Sequence, residues 1–169
     1  MNRARLVTLL GLAIVALALA ATSALGAPPR PTAGARASSA GTFIRTVLHL
    51  RMSRRYAHLY SKLHPAQQVF ISRDRFIDCE NQRDEAFGLT VKLIAFTVIR
   101  SYEQKILIPG TQQTARSIAV KYKYTVRTGG GSTFPITDDS HAVRVNGVWK
   151  WLVTSKDAHA YKAGRCRTP

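Results

Sequence analysis

The side chains that could carry acid–base or metal chemistry are few and widely separated in this 169-residue chain. Zinc-binding histidines of hydrolases typically stand four residues apart on a helix, with an acid between them. None of the five histidines has that spacing; they are His49, His58, His64, His141 and His159. The chain also lacks a phosphate-binding glycine loop, a dinucleotide fingerprint and a nucleophile elbow. We therefore predict no metal and no cofactor, and we assign no catalytic residue.

Four side chains in the second half of the chain are the nearest to catalytic candidates. His141 begins a strand and is the best single candidate for acid–base catalysis. Glu103 lies near a bend in the strand-rich region, which favours a solvated strand end over a buried acid. Asp138 and Asp139 precede a hairpin and are typical of a loop. These residues do not form a recognisable catalytic set.

The first 26 residues have the pattern of an export signal. Met1–Arg5 is basic, Leu6–Ala21 is apolar, and Ala24–Gly26 is a small-x-small cleavage pattern. The apolar run has about 16 residues, fewer than the roughly 20 that span a bilayer comfortably. We predict a cleaved signal peptide over residues 1–26 and a secreted or extracytoplasmic protein. The alternative is an uncleaved N-terminal membrane anchor.

The chain has two cysteines, Cys79 and Cys166. In an oxidising compartment two cysteines most simply form one disulfide. That bridge would join the helical half of the domain to the C-terminal tail. A free catalytic thiol is the alternative, and no sequence context supports it.

The chain is strongly basic, with a formal net charge of +16 at pH 7. Removing Arg3 and Arg5 with the signal leaves 23 basic residues against 9 acidic ones, a net charge of +14. Such a charge favours anionic partners such as phospholipid headgroups or acidic wall polymers, although it also keeps an exported protein soluble. The candidate contacts are Arg51, Arg54, Arg55, Lys121 and Lys123.

The pattern predicts helices in the first half of the folded region. Residues 27–41 are rich in Pro, Ala, Gly and Ser and predict a flexible linker, which leaves residues 42–169 as a single domain. Thr42–Leu63 carries an apolar stripe at helical spacing and predicts an amphipathic helix packed on a core, with a membrane-surface helix as the alternative. Pro65 ends it, so His64 has a structural role at the helix end. A short helix follows over about residues 73–82.

The second half has strand patterns. Residues 89–102 are apolar on both alternating faces, and residues 104–108 continue that strand after a bend. Residues 117–127 alternate cleanly between apolar and basic side chains. Asn146-Gly147 predicts a hairpin turn between residues 140–145 and 148–154. Helices followed by antiparallel strands predict an α+β domain, with the N-terminal helices packed on one face of a curved, cone-like sheet.

This order resembles the cone-shaped fold of the nuclear transport factor two-like superfamily, which includes ketosteroid isomerase-like and polyketide cyclase-like members. More narrowly, the chain is similar to small exported actinobacterial domains of that type. The motifs that match are Leu63–Gln68, Phe76 with Cys79, Val145–Trp151 and Tyr161–Cys166. The resemblance covers about residues 43–166.

The resemblance implies a cavity between the concave face of the sheet and the helices. We expect Tyr122, Tyr124, His141 and Trp151 to line it. Fold does not fix function, and no catalytic acid of the superfamily aligns with this chain, so no catalytic residue is carried over.

We therefore expect an exported, non-enzymatic binding domain with a basic surface that contacts anionic envelope components. The alternative is a small-molecule enzyme of the isomerase or hydratase type that uses the cavity, with a small apolar ligand. A homodimer is a third possibility. Nucleic acid is a disfavoured partner, because strand alternation places Lys121 and Lys123 on the face opposite Tyr122 and Tyr124.

Overall fold

The computed structural model of the protein describes residues 32–87 and 91–166. Four helices precede a four-stranded antiparallel sheet, and a fifth helix follows it. The helices are α1 (Ala33–Met52), α2 (Tyr56–Lys62), α3 (Pro65–Phe70), α4 (Arg73–Phe87) and α5 (Ser155–Ala163). The strands are β1 (Val91–Leu107), β2 (Thr114–Thr128), β3 (Thr133–Val145) and β4 (Val148–Leu152). The helices pack on the curved, unclosed sheet, which confirms the predicted α+β class.

Helix α1 begins nine residues before the predicted start at Thr42. Thr32 caps it, and its hydroxyl accepts a hydrogen bond from the Ala35 amide. The prediction of a flexible linker is therefore wrong for residues 33–41, while residues 27–31 lie outside the described residues. The small residues that suggested a linker let α1 approach the sheet closely, since a Cβ on Gly41 would lie 2.7 Å from Cγ2 of Val98. Alanine also has the highest helix propensity.

The predicted single helix Thr42–Leu63 is divided in two. Helix α1 ends at Met52, and Arg54 takes a positive φ of 56° before α2 begins at Tyr56. The apolar stripe itself is buried, with Ile44 and Leu59 almost fully covered. The predicted packing on a core is thus correct on both sides of the break. No helix in the described ranges is long and apolar enough to cross a membrane.

His64 closes the helical connection as the sequence indicates. Its Nδ1 accepts a hydrogen bond from the Ala66 amide, and Pro65 takes the first position of α3, where its missing N–H is not needed. Burial, together with the nearby Lys150 ammonium, lowers the pKa of His64, so the neutral ring that can accept this bond is favoured. Helix α4 runs to Phe87, past the predicted end at residue 82.

The strands follow the order β1-β2-β3-β4, so each hairpin neighbour along the chain is also a neighbour in the sheet. The hairpin between β3 and β4 turns at Asn146 and Gly147, both with positive φ, as predicted. Strand β1 is continuous and carries register shifts between Leu93 and Ala95 and between Val98 and Arg100. Such shifts increase the local twist and contribute to the curvature of the sheet.

The two faces of β2 differ sharply. Tyr122, Tyr124 and Val126 are buried against the helices, and Lys121 and Lys123 are exposed on the opposite side. This is the alternation that the sequence predicts. The concave face of the sheet therefore carries the core, and the other face meets solvent along most of β2.

Helix α5 lies in the C-terminal tail, for which the sequence pattern predicts no helix. Thr154 caps its start through the Asp157 amide, and Gly164 ends it with a φ of 64°. Only Ala158 and Tyr161 are buried along its nine residues, so the apolar pattern is too short to detect. The predicted disulfide between Cys79 and Cys166 is confirmed, and it joins α4 to the residues after α5.

Candidate functional site

Two adjoining cavities lie between the concave face of the sheet and the helices. The first has a volume of about 400 Å³ and the second about 690 Å³. They adjoin because Arg51, Met52, Tyr124 and Asp157 line both. Both volumes fall in the range of small-molecule sites, roughly 300–1,000 Å³.

The first cavity is formed where α1 crosses the concave face. Tyr122, Tyr124 and Trp151 contribute aromatic walls, and Ile44 and Leu48 close it from the helix. His141, the fourth residue expected in the cavity, lines it as well. The rings of Tyr122 and Tyr124 lie 5.8 Å apart between centroids, and Trp151 donates a 2.9 Å hydrogen bond to Ser140.

His141 lines the same cavity from a strand position that alternates with the positions of Tyr122 and Tyr124. Its register partners are Ala119 and Leu152, whereas Tyr122 pairs with Asp138. Its Nδ1 lies 3.3 Å from both Gln104 Nε2 and Ser117 Oγ, and burial lowers its pKa. It borders the cavity only at the strand edge, and no acid forms a dyad with it in the described part of the chain.

The edge of β3 explains how side chains from both faces of the sheet line the same cavity. Four consecutive residues, 138–141, line the first cavity, although successive side chains of a strand point to opposite faces. Strand β4 pairs only with His141–Val145. Within the described residues, positions 133–140 of β3 therefore have no paired strand on the side away from β2, and the cavity passes around this unpaired edge.

Asp138 is the acid on the concave face. Tyr122 donates a 3.3 Å hydrogen bond to Oδ2 of Asp138, and the Asp139 amide donates one of 2.8 Å to Oδ1. Burial first, and then the Asp138 charge, raise the pKa of Tyr122 above its ordinary value, so its hydroxyl stays protonated and acts as a donor. Asp138 and Asp139 are part of β3 and not of a loop, which corrects the prediction for this pair.

A network of charged side chains forms the wall shared by the two cavities. Arg51 makes two 2.7 Å hydrogen bonds to the Glu80 carboxylate, through Nε and Nη2. Arg83 also contacts Glu80, at 3.2 Å, and binds Asp157. Tyr161 donates to Glu80 and accepts a 2.8 Å bond from Arg83. The network ties α1, α4 and α5 together.

Glu80 is the buried anion of this network, with only 3% of its side chain exposed. Burial alone would raise the pKa of Glu80, but the charge and hydrogen bonds of Arg51 outweigh it and hold that pKa below its ordinary value. Glu80 is therefore ionised at neutral pH. Its carboxylate oxygens accept hydrogen bonds from Arg51, Arg83 and Tyr161. Glu80 is therefore a structural group and not a free base.

The basic residues predicted to contact anions separate into two groups. Arg51 is turned inward: it binds Glu80, and its guanidinium stacks on the Trp151 ring at 5.4 Å. The charge of Arg51 is therefore balanced inside the domain, although the sequence predicts it as a contact to an anionic partner. Arg54 forms a 2.7 Å ion pair with Asp84, while Arg55 is exposed. Lys121 and Lys123 are exposed on the solvent side of the sheet.

The second cavity has an apolar floor. It is made by the concave face of the sheet at Val91, Val126, Phe134 and Ile136. Phe134 is 51% exposed and Ile136 is 37% exposed, so large apolar side chains face this space. The charged network forms the opposite wall. The cavity thus offers an apolar surface beside a set of fixed polar groups.

Five of the nine acidic residues of this basic protein line the two cavities: Glu80, Asp84, Asp138, Asp139 and Asp157. Glu80, Asp84 and Asp157 are paired with arginines. Across the described ranges, Asp138 and Asp139 form no ion pair with a basic side chain. The first cavity can therefore accept a hydrogen bond or balance a positive charge at Asp138.

Several residues of the site were missed by sequence reasoning. Glu80, Arg83, Asp157 and Tyr161 come from two helices separated by the whole sheet. Glu80 follows Cys79 directly, so the disulfide was the one available signal that this part of α4 meets the C-terminal region.

Glu103 is exposed and lies 3.9 Å from Arg116, as expected for a solvated strand end. No group of acids, histidines and cysteines among the described residues is arranged to hold a metal.

No protein-family model matches the chain, and no curated protein matches it.

Proposed function

We propose that this chain is an exported, disulfide-bonded binding domain that holds a small molecule between its sheet and its helices. The ligand is largely apolar and has a cationic or hydrogen-bond-donating end. The observation that carries this proposal is Asp138, a carboxylate without an ion pair in the described residues, on the same face as the apolar floor. The expected membership of the nuclear transport factor two-like superfamily is part of the proposal, supported by the α+β fold.

The apolar part of the ligand rests on the concave face. Phe134 and Ile136 are too large and too exposed to be explained as core residues. Covering either side chain with a ligand would remove apolar surface from water, which is favourable in free energy. Covering apolar surface contributes about 25 cal/mol per Å². A hydrocarbon chain or ring over this floor would supply much of the affinity.

The polar end of the ligand is selected by charge. The arginines that line the cavities, Arg51, Arg54 and Arg83, are already paired with carboxylates. Asp138 and Asp139 have no such partner within the described segments. An anionic group in the first cavity would face these carboxylates and be repelled, whereas an ammonium or hydroxyl group would be bound.

The export part of the proposal rests on two supports. Residues 1–26 have the composition of a signal peptide. The Cys79–Cys166 disulfide is of the kind that forms in oxidising compartments. Mass measurement of the secreted protein tests it: a mature N-terminus at or near Ala27 is expected, and an intact N-terminus at Met1 on membrane-bound protein would favour an anchor.

A pair of probes with the same chain and opposite charge tests ligand selection. We expect octyltrimethylammonium to bind more tightly than octyl sulfate in calorimetric titrations below their micelle concentrations. Asp138→Asn should weaken binding of the ammonium probe by about tenfold, since the quaternary ammonium has no N–H to donate and its attraction to a carboxylate about 4 Å away is worth about 1–4 kcal/mol. Asp74→Asn removes the same charge from an exposed helical position and should change nothing.

Filling the second cavity separates binding inside from binding outside. Ile136→Trp places a larger ring on the apolar floor and should reduce binding of the ammonium probe. If Ile136→Trp leaves the binding of octyl sulfate unchanged, octyl sulfate binds elsewhere on the surface. Equal binding of both probes, insensitive to Asp138→Asn and to Ile136→Trp, would refute the proposed site.

The second candidate function is acid–base catalysis at Asp138, which the adjacent Tyr122 hydroxyl favours. The Asp138 carboxylate could remove a proton from a carbon next to a carbonyl and return a proton to it. The test is hydrogen–deuterium exchange of cyclohexanone in heavy water, followed by NMR. Exchange above the buffer rate that Asp138→Asn abolishes supports an enzyme, and exchange at the buffer rate supports binding alone.

A further inference from the structure

The solvent-facing side of the sheet carries a cluster of cations that the cavity does not use. We define the outer sheet face by five exposed residues: Lys92, Arg100, Lys121, Lys123 and Arg127. Register places them together, because Lys92 pairs with Arg127 and Arg100 pairs with Lys121. Lys123 lies between these two pairs on β2. Neighbouring strands are about 4.8 Å apart, so the charges form one continuous patch.

Opposing charge on this face is slight. The β2–β3 register places Asp139 opposite Lys121, and Asp138 and Asp139 both line a groove beside Arg100 and Lys121. Within residues 32–87 and 91–166, none of the five cations forms an ion pair. An exposed lysine or arginine without an ion pair stays hydrated and pays no desolvation free energy. Five of them on one rigid surface nevertheless create a strong local positive potential.

Apolar side chains stand exposed next to these cations. Tyr102 follows Arg100 by two residues and is 49% exposed, and the Arg100 guanidinium lies 5.7 Å from its ring centroid. Ile94 and Ile99 lie at the two register shifts of β1 and are 42% and 52% exposed. A tyrosine and aliphatic residues among basic residues are typical of a surface that meets a lipid headgroup layer.

We propose that the outer sheet face docks onto an anionic phospholipid bilayer. The cations contact the headgroup phosphates, and Ile99 and Tyr102 enter the interfacial layer. A second copy of the chain is excluded as the occupant, because two such faces would bring ten cations together. A soluble polyanion would satisfy the cations but would leave the exposed isoleucines and tyrosine without a role. This inference is independent of the cavity ligand.

Vesicle sedimentation with the mature, oxidised protein tests the docking. Vesicles of equal parts phosphatidylglycerol and phosphatidylcholine should bind the protein at low salt, and vesicles of phosphatidylcholine alone should not. Each basic residue near a bilayer contributes about a fivefold factor in affinity. The double variant Lys121→Gln with Lys123→Gln should therefore lower vesicle binding by about 25-fold.

The matched control is Arg45→Gln with Lys156→Gln, which removes the same charge from exposed positions on α1 and α5. We expect it to weaken binding by less than about threefold, through long-range attraction alone. Equal loss in both double variants would overturn the proposal, because net charge and not the outer sheet face would then explain the binding.

Ile99→Ser separates a bilayer from a soluble polymer. It should weaken binding to the mixed vesicles and leave binding to inorganic polyphosphate unchanged. Binding of polyphosphate as tight as that of vesicles, with no effect of Ile99→Ser on either, would assign the face to a polyanion instead. Circular dichroism of each variant checks that the fold is intact.

Discussion

At the scale of single residues, the carboxylates of the site are of two kinds: some are neutralised by arginines inside the domain, and others have no ion pair in the described residues. Glu80 is almost fully enclosed and is contacted by Arg51, Arg83 and Tyr161. Asp138 lies on the concave face without such a set. The first carboxylate holds helices together, and the second is available to a ligand. Position, and not residue type, decides between these roles.

Replacing Glu80 by Gln tests the structural role of the network. The change leaves Arg51 and Arg83 without their buried anion, and we expect a loss of about 3 kcal/mol in the free energy of unfolding. Urea denaturation at pH 7 measures it. Asp74→Asn on the same helix is the control, because that side chain is 89% exposed, and it should cost less than about 0.5 kcal/mol. A loss no larger than that of the control would contradict the role of Glu80.

The same variant predicts a pH dependence. The pKa of Glu80 is lowered on folding, so its contribution to stability is full above the unfolded pKa, near about 4.3, and is lost as pH falls through the lower folded pKa. The difference in unfolding free energy between the protein and Glu80→Gln should therefore be constant from neutral pH down to the unfolded pKa of about 4.3, and should shrink at lower pH. Urea midpoints across the acid range measure the difference.

The residues of the network could not be predicted from sequence, and the reason is physical. Arg51, Glu80 and Tyr161 belong to three helices, and their contacts exist only after the sheet brings those helices together. In the sequence, Arg51 had the appearance of a solvated helix position. Tyr122, Tyr124 and Trp151 were accessible to prediction, because strand alternation alone assigns them to one face. His141 reaches the same cavity at the edge of β3, a route that strand alternation alone does not reveal.

At the scale of elements, the strongly patterned segments were predictable and the weakly patterned ones were not. The alternation of β2 and the Asn146-Gly147 turn each depend on neighbouring residues alone. The start of α1 and the whole of α5 depend on packing. Alanine, glycine and serine can form a linker or a close helix contact, and only the approach of β1 decides between them.

Gly41 is the position where that approach is tightest. A leucine there would meet Val98 in the face of β1, so we expect Gly41→Leu to destabilise the domain by about 1–3 kcal/mol. Gly34→Ala is the matched control on the same helix, because a Cβ there meets nothing within 4 Å. It should stabilise the domain by up to about 1 kcal/mol through helix propensity. Equal effects of the two changes would show that α1 does not pack closely on β1.

At the scale of the whole domain, the charges without an ion pair in the described residues differ in sign between the cavity, at Asp138 and Asp139, and the outer sheet face. The cavities hold five of the nine acids, and the outer sheet face holds five cations. A net charge alone, as read from composition, does not reveal this separation. Under the two proposals, the domain selects an apolar or cationic ligand inside while its outer sheet face is attracted to anions.

The disulfide contributes to stability at this same scale. It closes a loop over a sequence separation of 87 residues, for which the chain-entropy estimate is roughly 4–5 kcal/mol as an upper figure. We expect the double variant Cys79→Ala with Cys166→Ala to lower the free energy of unfolding by several kcal/mol, up to about that amount. Urea denaturation of the oxidised protein and the variant gives the difference. Equal midpoints would show that the helices hold α5 in place without the bridge.

The disulfide loop also sets an order of events in biosynthesis. All four strands lie between Cys79 and Cys166, so the bridge cannot close until the ribosome has added the last strand and α5. Oxidation therefore follows synthesis of the sheet and α5, and a chain truncated before residue 166 carries the Cys79 thiol without its intramolecular partner. The bridge thus makes closure of the loop depend on the presence of every strand between the two cysteines.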